Sequence, residues 1–160
     1  MARICMAAES HPAYLRERPM WKEPSLSSAI AHASASVAAE VKARFIIAFT
    51  ESGATALRVS KAHPPVPVIA ASPYSAVLRR TQLYSGVIPL EVGIGEDTDD
   101  MIEKAVSAAL KQGIVRDGDR VIFIAGVPVG KPGQTNMLIV ETISAHPMGP
   151  GRARVGSTAT

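Results

Sequence analysis

An unbroken apolar run, Phe45–Phe49, constrains the fold of this chain more than any other feature. A strand that is apolar at every position is buried on both faces, which is typical of a parallel sheet covered by helices. Apolar residues recur at helical spacing in the segment before it: Leu26, Ile30, Ala33, Val37 and Val41. Ser25 precedes that segment and is suited to cap a helix. The pattern therefore predicts a capped helix followed by a buried strand.

Strands and helices continue to alternate along the chain. Further strands are predicted at 66–71, 86–90, 120–125 and 137–143. Further helices are predicted from about residue 56 until Pro64 stops the helix, over 72–84, and from 98 to about 111. Ser72 and Pro73 are predicted to begin one helix as its cap and first residue. Asp97 or Thr98 is predicted to cap the next helix, and Gly113 to end it.

This alternation predicts an α/β fold, a doubly wound three-layer αβα sandwich. Helices connect the first four predicted strands, so those strands should run parallel. The loop 126–136 is too short for a parallel crossover, so the last strand is expected to be antiparallel at an edge. The prediction is a five-stranded, mostly parallel sheet with an antiparallel edge strand.

The chain divides into three parts by composition. Residues 1–24 are predicted to form a connector, with a short helix over 1–11 and an irregular, proline-rich stretch that carries Trp21. Residues 25–144 form the folded domain. Residues 145–160 are rich in Pro, Gly, Arg, Ser and Thr, and we expect them to be disordered.

The amino-acid composition indicates which classes of binding partner and which cellular compartment to expect. Of the 160 residues 47% are hydrophobic and 19% charged, which indicates a globular chain. The net charge of +3 is spread in separate arginine pairs, so we expect no nucleic-acid partner. No apolar run approaches the roughly 20 residues that cross a bilayer, so we expect no membrane partner. Cys5 is the lone cysteine and suits a reducing compartment, so we expect a cytoplasmic protein.

No catalytic or metal-binding constellation stands out. The histidines are scattered, and none has a second ligand at metal-binding spacing: His11, His32, His63 and His146. A group of carboxylates near residue 98 lacks the spacing of a calcium loop, and we interpret it as helix capping: Glu96, Asp97, Asp99 and Asp100. We therefore predict no catalytic residues, no metal ligands and no cofactor in this chain.

Two loops carry the residues most suited to bind a ligand. In doubly wound sheets, ligands bind beyond the carboxyl ends of the strands where the winding reverses. If the first and fourth strands are neighbours there, two hydroxyl- and glycine-bearing segments converge on an anion site. The predicted site residues are Thr50, Glu51, Ser52, Gly53, Ala54 and Thr55 in the first loop, with Lys131, Pro132, Gly133, Gln134 and Thr135 in the second. The pattern is equally typical of an ordinary strand-to-helix turn, and the spacing of a P-loop is absent.

Several of these motifs resemble the C-terminal domain of pyruvate kinases. Residues 45–56 are similar to the first strand and phosphate loop of that domain. The stretch from Leu83 to Pro89 is similar to its short third strand, and 117–136 to its last turn, strand and effector loop. The resemblance covers about residues 1–143, and the motifs occur in the family's order.

The resemblance implies a regulatory and assembly role. In the family, phosphoenolpyruvate, nucleotide, potassium and magnesium bind a barrel and lid that these residues do not resemble. The chain alone is therefore expected to lack phosphotransferase activity. The family's C-terminal domain binds sugar-phosphate or nucleotide effectors between the two loops and joins subunits. We expect a sugar monophosphate or nucleotide monophosphate as effector, and a homo-oligomer through the C-terminal edge strand.

The match departs from family members that bind a sugar bisphosphate. Those tend to carry a basic residue in the first loop and an arginine in the helix before the fourth strand. Here Glu51 and Ala54 occupy the loop, and Met101 and Ile102 lie where that arginine is expected; Arg58 is displaced by one position from the family's threonine-alanine-arginine motif. A bisphosphate is therefore disfavoured.

Two other functions remain open at this point. One is a free-standing small phosphotransferase or hydrolase on the same fold, because fold alone does not determine function. It would need an acid–base pair, for which Glu51 and Lys131 are the available residues. The other is an inert oligomerisation module with no ligand.

Overall fold

The computed structural model describes Ala7, residues 25–127 and residues 135–144. Its elements, in chain order, are α1 (Leu26–Glu40), β1 (Phe45–Phe49), α2 (Ala54–Lys61), β2 (Val68–Ser72), α3 (Ser75–Thr81), β3 (Val87–Glu91), α4 (Thr98–Lys111), β4 (Arg120–Ala125) and β5 (Met137–Thr142). The predicted connector, apart from Ala7, and the predicted tail lie outside the described residues. Within the described helices, none is both long and apolar enough to cross a membrane.

The strands form one five-stranded sheet in the order β3-β2-β1-β4-β5. β1 pairs in parallel with β2 on one side and with β4 on the other, and β2 pairs in parallel with β3. Only β5 is antiparallel, aligned on β4 with Ala125 opposite Met137. The predicted fold class, including the antiparallel edge strand, is confirmed.

Alternate residues of β1 enter two separate cores, as the period of a strand requires. Phe45, Ile47 and Phe49 face α4, and the ring of Phe49 stacks on that of Phe123 with centroids 6.3 Å apart. Ile46 and Ala48 face the opposite side, where buried residues of α1 and α2 cover them. Both faces of the sheet are therefore covered by helices, which gives the three-layer arrangement.

Helix α1 begins as predicted, and Ile30, Val37 and Val41 of the predicted stripe pack against the core, but its most buried residues are others. Ser25 caps it, and its Oγ accepts a hydrogen bond from the N–H of Ser28 at 3.1 Å. Leu26, in the predicted apolar stripe, is 59% exposed. The buried side consists of small residues: Ser27, Ser28, Ala31, Ser34, Ala35 and Ala38. The hydroxyl of Ser34 donates to the carbonyl of Ala31 at 2.7 Å, which satisfies it without solvent.

The predicted start of α3 at Ser72 is wrong. Ser72 is the last residue of β2 and pairs with Glu91 of β3, so its backbone stays extended. Its buried side chain accepts a hydrogen bond from the N–H of Tyr74 at 3.3 Å, and the helix begins at Ser75. The hydroxyl therefore orders the turn between strand and helix rather than capping the helix.

Helix α4 matches the sequence pattern. Asp97 is its N-cap, and its carboxylate accepts a hydrogen bond from the N–H of Asp100 at 2.9 Å. Met101, Ile102, Ala105 and Ala109 are buried against the sheet. Gly113 follows the helix in the left-handed conformation with φ 69°, as expected of a residue that ends a helix.

Candidate functional site

The winding of the sheet reverses between β1 and β4. β1 continues through α2 to β2 on one side, whereas β4 continues to β5 on the other, and the two strands pair directly with each other. The loops that follow them leave the same carboxyl edge of the sheet. The two segments singled out in the sequence therefore begin at the switch point, where doubly wound folds bind ligands.

The first loop is shaped by Thr50. Its side chain accepts a hydrogen bond from the N–H of Gly53 at 2.8 Å, and its own N–H donates to the carbonyl of Ala71 at 3.0 Å. Thr50 is only 7% exposed. Its hydroxyl is thus used within the loop, where it holds the turn that leads into α2.

Helix α2 begins without a side-chain cap. Its N-cap is Gly53, which has no side chain and adopts the left-handed conformation at φ 83°. The N–H of Ala54 donates a long hydrogen bond to Oγ of Ser52, with nitrogen and oxygen 3.4 Å apart. The N–H groups of Thr55 and Ala56, in the first turn, receive no acceptor from this loop's side chains. Such a helix start carries partial positive charge and attracts anions.

Thr135 joins the second loop to the first. Its hydroxyl oxygen lies 3.1 Å from that of Thr55, and its N–H donates to Oγ of Ser27 at the start of α1 at 3.0 Å. Thr135 is only 3% exposed. The side-chain amide of Asn136 closes the base of the loop, since it accepts from the N–H of Val127 at 2.8 Å and donates to its carbonyl at 2.7 Å.

The remaining predicted site residues lie partly within and partly outside the described residues. Glu51 and Ser52 are exposed at the outer side of the first loop, and Ala54 and Thr55 are half-buried. Lys131, Pro132, Gly133 and Gln134 lie outside the described residues. Met101 and Ile102, where an arginine was expected in bisphosphate-binding relatives, belong to α4 and are buried in the core between this helix and the sheet. Neither position therefore presents a side chain to the loops.

Sequence reasoning missed two residues that lie on the first loop. Arg80 of α3 donates a guanidinium hydrogen bond to the carbonyl of Ser52. The phenol oxygen of Tyr84 lies 3.3 Å from where a Cβ on Gly53 would be. No local pattern pointed to these two residues, because Arg80 lies in the last turn of α3 and Tyr84 follows that helix, both distant in sequence from the first loop.

Acidic residues at the start of α4 form a capping network. One carboxylate oxygen of Asp100 accepts from the N–H of Glu96 at 2.8 Å and from Nζ of Lys104 at 2.7 Å. The hydrogen bond from Lys104 and that from the Glu96 backbone lower the pKa of Asp100. Among the described residues no group of three or more His, Cys, Asp or Glu could hold a metal ion. The interpretation as helix capping is confirmed for Asp97 and Asp100.

Comparison with known families assigns the domain. The family model described as "Pyruvate kinase, alpha/beta domain" matches residues 28–141, which include β1, β4 and all of the first loop. The chain belongs to the pyruvate kinase family, as its C-terminal α/β domain. The resemblance seen in the sequence is confirmed.

Individual pyruvate kinases support the same assignment. The protein of Methylorubrum extorquens is 38% identical over 141 residues, which cover 88% of this chain and 27% of the relative. That of Clostridium acetobutylicum is 37% identical over 146 residues, covering 89% of the chain and 31% of the relative. That of Geobacillus stearothermophilus is 37% identical over 147 residues, covering 90% and 25%. The chain thus spans about a quarter to a third of the length of these relatives.

Proposed function

We propose that this pyruvate kinase domain binds a phosphorylated effector where β1 meets β4 and contributes to oligomer assembly, as a regulatory rather than a catalytic part. The observation that carries the proposal is the hydroxyl pair of Thr55 and Thr135, with oxygens 3.1 Å apart. It brings the loop after β4 onto the uncapped first turn of α2. A ligand between the loops would meet a helix N-terminus and hydroxyl donors together.

The same geometry favours a ligand with a single phosphate. Of the two helix starts at the junction, that of α1 is capped by Ser25, which leaves the start of α2. One phosphate group suffices to satisfy the N–H groups of Thr55 and Ala56. Glu51, exposed on the same loop, adds a negative charge that opposes a second phosphate. A sugar monophosphate or a nucleotide monophosphate fits these features better than a sugar bisphosphate.

Calorimetry with four phosphate esters tests the effector. We expect ribose 5-phosphate, glucose 6-phosphate or AMP to bind more tightly than fructose 1,6-bisphosphate, and binding to weaken as salt is added. Thr55→Ala should weaken binding by about tenfold, since a hydrogen bond to a charged group contributes ~1.5–3 kcal/mol. Ser107→Ala, on the exposed side of α4 beyond the opposite face of the sheet, is the control.

Three results would count against the effector site. Tighter binding of the bisphosphate would show that the charge of the loop has been misjudged. Equal binding by Thr55→Ala and the parent chain would place the phosphate elsewhere. No binding of any of the four esters would leave the domain as an assembly module with an inert pocket.

Assembly is proposed through β5. Among the described strands, β5 pairs with β4 alone, so in this part of the chain its other edge offers unpaired backbone groups to a second chain. Met137, Leu138 and Ile139 are each only half-buried, and Val140 is 39% exposed. A partly apolar strand at an open edge favours pairing with another copy.

The cytoplasm, where thiols stay reduced, is the compartment we propose, because Cys5 is the chain's lone cysteine.

A further inference from the structure

The side chains of Arg80 and Tyr84 both lie close to Gly53 at the start of α2. A guanidinium N–H of Arg80 donates to the carbonyl oxygen of Ser52, the residue before Gly53. A Cβ built on Gly53 would lie 3.4 Å from Nη2 of Arg80 and 3.3 Å from the phenol oxygen of Tyr84. The guanidinium therefore contacts the peptide segment that leads into the first turn of α2, and the phenol lies on the side of Gly53 where a side chain would project.

The two side chains are anchored differently. Tyr84 packs against the core on the α1 and α2 side of the sheet, so its ring is held in place by its neighbours. Arg80 lies in the last turn of α3 and is exposed, so its position depends on the hydrogen bond to Ser52. That hydrogen bond joins α3 to the loop that precedes α2. Within the described residues, no other hydrogen bond runs from a side chain of α3 to this loop.

Arg80 also brings the positive charge that the first loop lacks. Residues 50–55 contain Glu51 but neither lysine nor arginine. A guanidinium has five N–H donors, and the carbonyl of Ser52 uses part of that capacity. Among the ion pairs of the described residues, none involves Arg80. Its charge therefore lies beside the uncapped helix start without a carboxylate partner in the described part of the chain.

We propose that Arg80 is the positioning residue of the loop 50–55 and the cation that pairs with the phosphate of the effector. Its bond to Ser52 keeps Gly53 in the left-handed conformation from which α2 begins. Its remaining N–H groups then pair with phosphate oxygens in a planar, two-bond arrangement. The second role rests on the proposed function, because it needs a phosphorylated ligand at this junction, whereas the first role does not.

Amide hydrogen exchange on the ligand-free chain tests the positioning role. We expect Arg80→Gln to speed exchange of the Gly53 N–H, which donates to Thr50, by about tenfold, while the amides of β1 exchange as before. Arg79→Gln is the matched control, since Arg79 is exposed on the same helix and reaches only Oγ of Ser75 at 3.5 Å. Unchanged exchange at Gly53 in Arg80→Gln would overturn the positioning role.

Calorimetry with ribose 5-phosphate and AMP at several salt concentrations tests the cation role. Arg80→Gln should weaken binding at least about tenfold and reduce its dependence on salt, whereas Arg79→Gln should change neither. Arg80→Lys should keep the salt dependence but recover only part of the affinity, because lysine cannot form the two-bond arrangement.

The outcomes separate this inference from the function on which it rests. If the parent chain binds these esters and Arg80→Gln binds equally well with the same salt dependence, the cation role is wrong and the effector site stands. If the parent chain binds none of them, the effector site and the cation role both fail. In that case the exchange of the Gly53 amide still decides whether Arg80 positions the loop.

Discussion

The side chains of Thr55 and Thr135 meet with their hydroxyl oxygens 3.1 Å apart, although 80 positions separate them in the chain. One residue lies in the first turn of α2, and the other precedes β5. Within the described residues, this contact links the side chains of the two loops at the switch point. Its strength therefore measures how far the loops behave as one unit.

A double-mutant cycle on Thr55→Val and Thr135→Val measures this link. Each single change keeps the shape of the side chain and removes the hydroxyl. We expect a coupling of about 0.5–1.5 kcal/mol in the free energy of unfolding from denaturant titration, the range of one hydrogen bond. Thr55→Val combined with Ser107→Ala is the control pair and should be additive. Additive effects in the Thr55/Thr135 pair as well would mean that the loops are not joined in solution.

Gly95 approaches the start of α4 so closely that a side chain does not fit. A Cβ on Gly95 would lie 2.7 Å from Cβ of Met101 and 2.9 Å from its Cα. Gly95→Ala should therefore destabilise the domain by about 1–3 kcal/mol, because backbone cannot move aside as a flexible side chain can. The measurement is the midpoint and slope of urea unfolding.

Gly93→Ala is the matched control for this glycine. Its added Cβ would meet only the side chain of Lys104, at 3.8 Å, an ordinary contact. We expect no loss of stability, and a gain of up to ~1 kcal/mol because alanine restricts the unfolded chain more than glycine does. Equal effects of the two substitutions would contradict the close approach of Gly95 to α4.

Asp100 should show an acid-sensitive contribution to stability. Its pKa is lowered from the ordinary value of 3.8 by the hydrogen bonds from Lys104 and from the backbone of Glu96. A carboxyl whose folded pKa is lowered stabilises the fold above its unfolded pKa, and that contribution is lost as the pH falls through the folded value. Lys104→Met should raise the pKa of Asp100 towards 3.8, as measured by NMR titration of its carboxyl carbon.

Lys111→Met is the control for this titration. Lys111 is exposed in the last turn of the same helix, so its loss removes an equal charge without removing a bond to Asp100. An equal rise in the pKa of Asp100 in both variants would mean that overall charge, and not the contact with Lys104, sets the value.

The order of elements was predictable because each depends on local information. The apolar run of β1 and the short loop before β5 together predict the parallel core and the antiparallel edge. The capping residues Ser25 and Asp97 were recognisable because a cap bonds within three positions of itself. Such contacts join residues that are close in sequence, so they can be predicted without knowing how the helices and strands pack.

Contacts between elements were harder to predict. The buried side of α1 is lined by small residues such as Ala31 and Ala38, because the helix packs closely on the sheet and on α2, whereas the bulky Leu26 stays outside. The large apolar residues Ile30, Val37 and Val41 therefore mark only the border of the buried side, and the small residues at its centre could not be recognised by hydrophobicity. Arg80 reaches Ser52 because α3 follows β2, which lies next to β1 in the sheet, and no local pattern records that neighbourhood.

The isolated chain should not catalyse the pyruvate kinase reaction. The resemblance that identified the domain places the sites for phosphoenolpyruvate, nucleotide and metal in other parts of the family's proteins. A coupled assay with phosphoenolpyruvate and ADP should give no turnover above background. The full-length pyruvate kinase of Geobacillus stearothermophilus, 37% identical to this chain over 147 residues, is the positive control. Turnover by the purified chain would contradict the assignment of a regulatory role.

The open edge of β5 should pair two copies of the chain. We expect sedimentation velocity to show a dimer that forms as concentration rises, because the unpaired backbone groups and half-buried apolar residues of β5 favour strand addition. Val140→Lys should weaken this dimer by at least about tenfold, or ~1.4 kcal/mol, since a charged side chain opposes edge pairing. Leu83→Lys is the control, because Leu83 is 85% exposed and follows α3 beside the opposite edge of the sheet. A monomer at all concentrations, or equal weakening by both lysines, would place assembly away from β5.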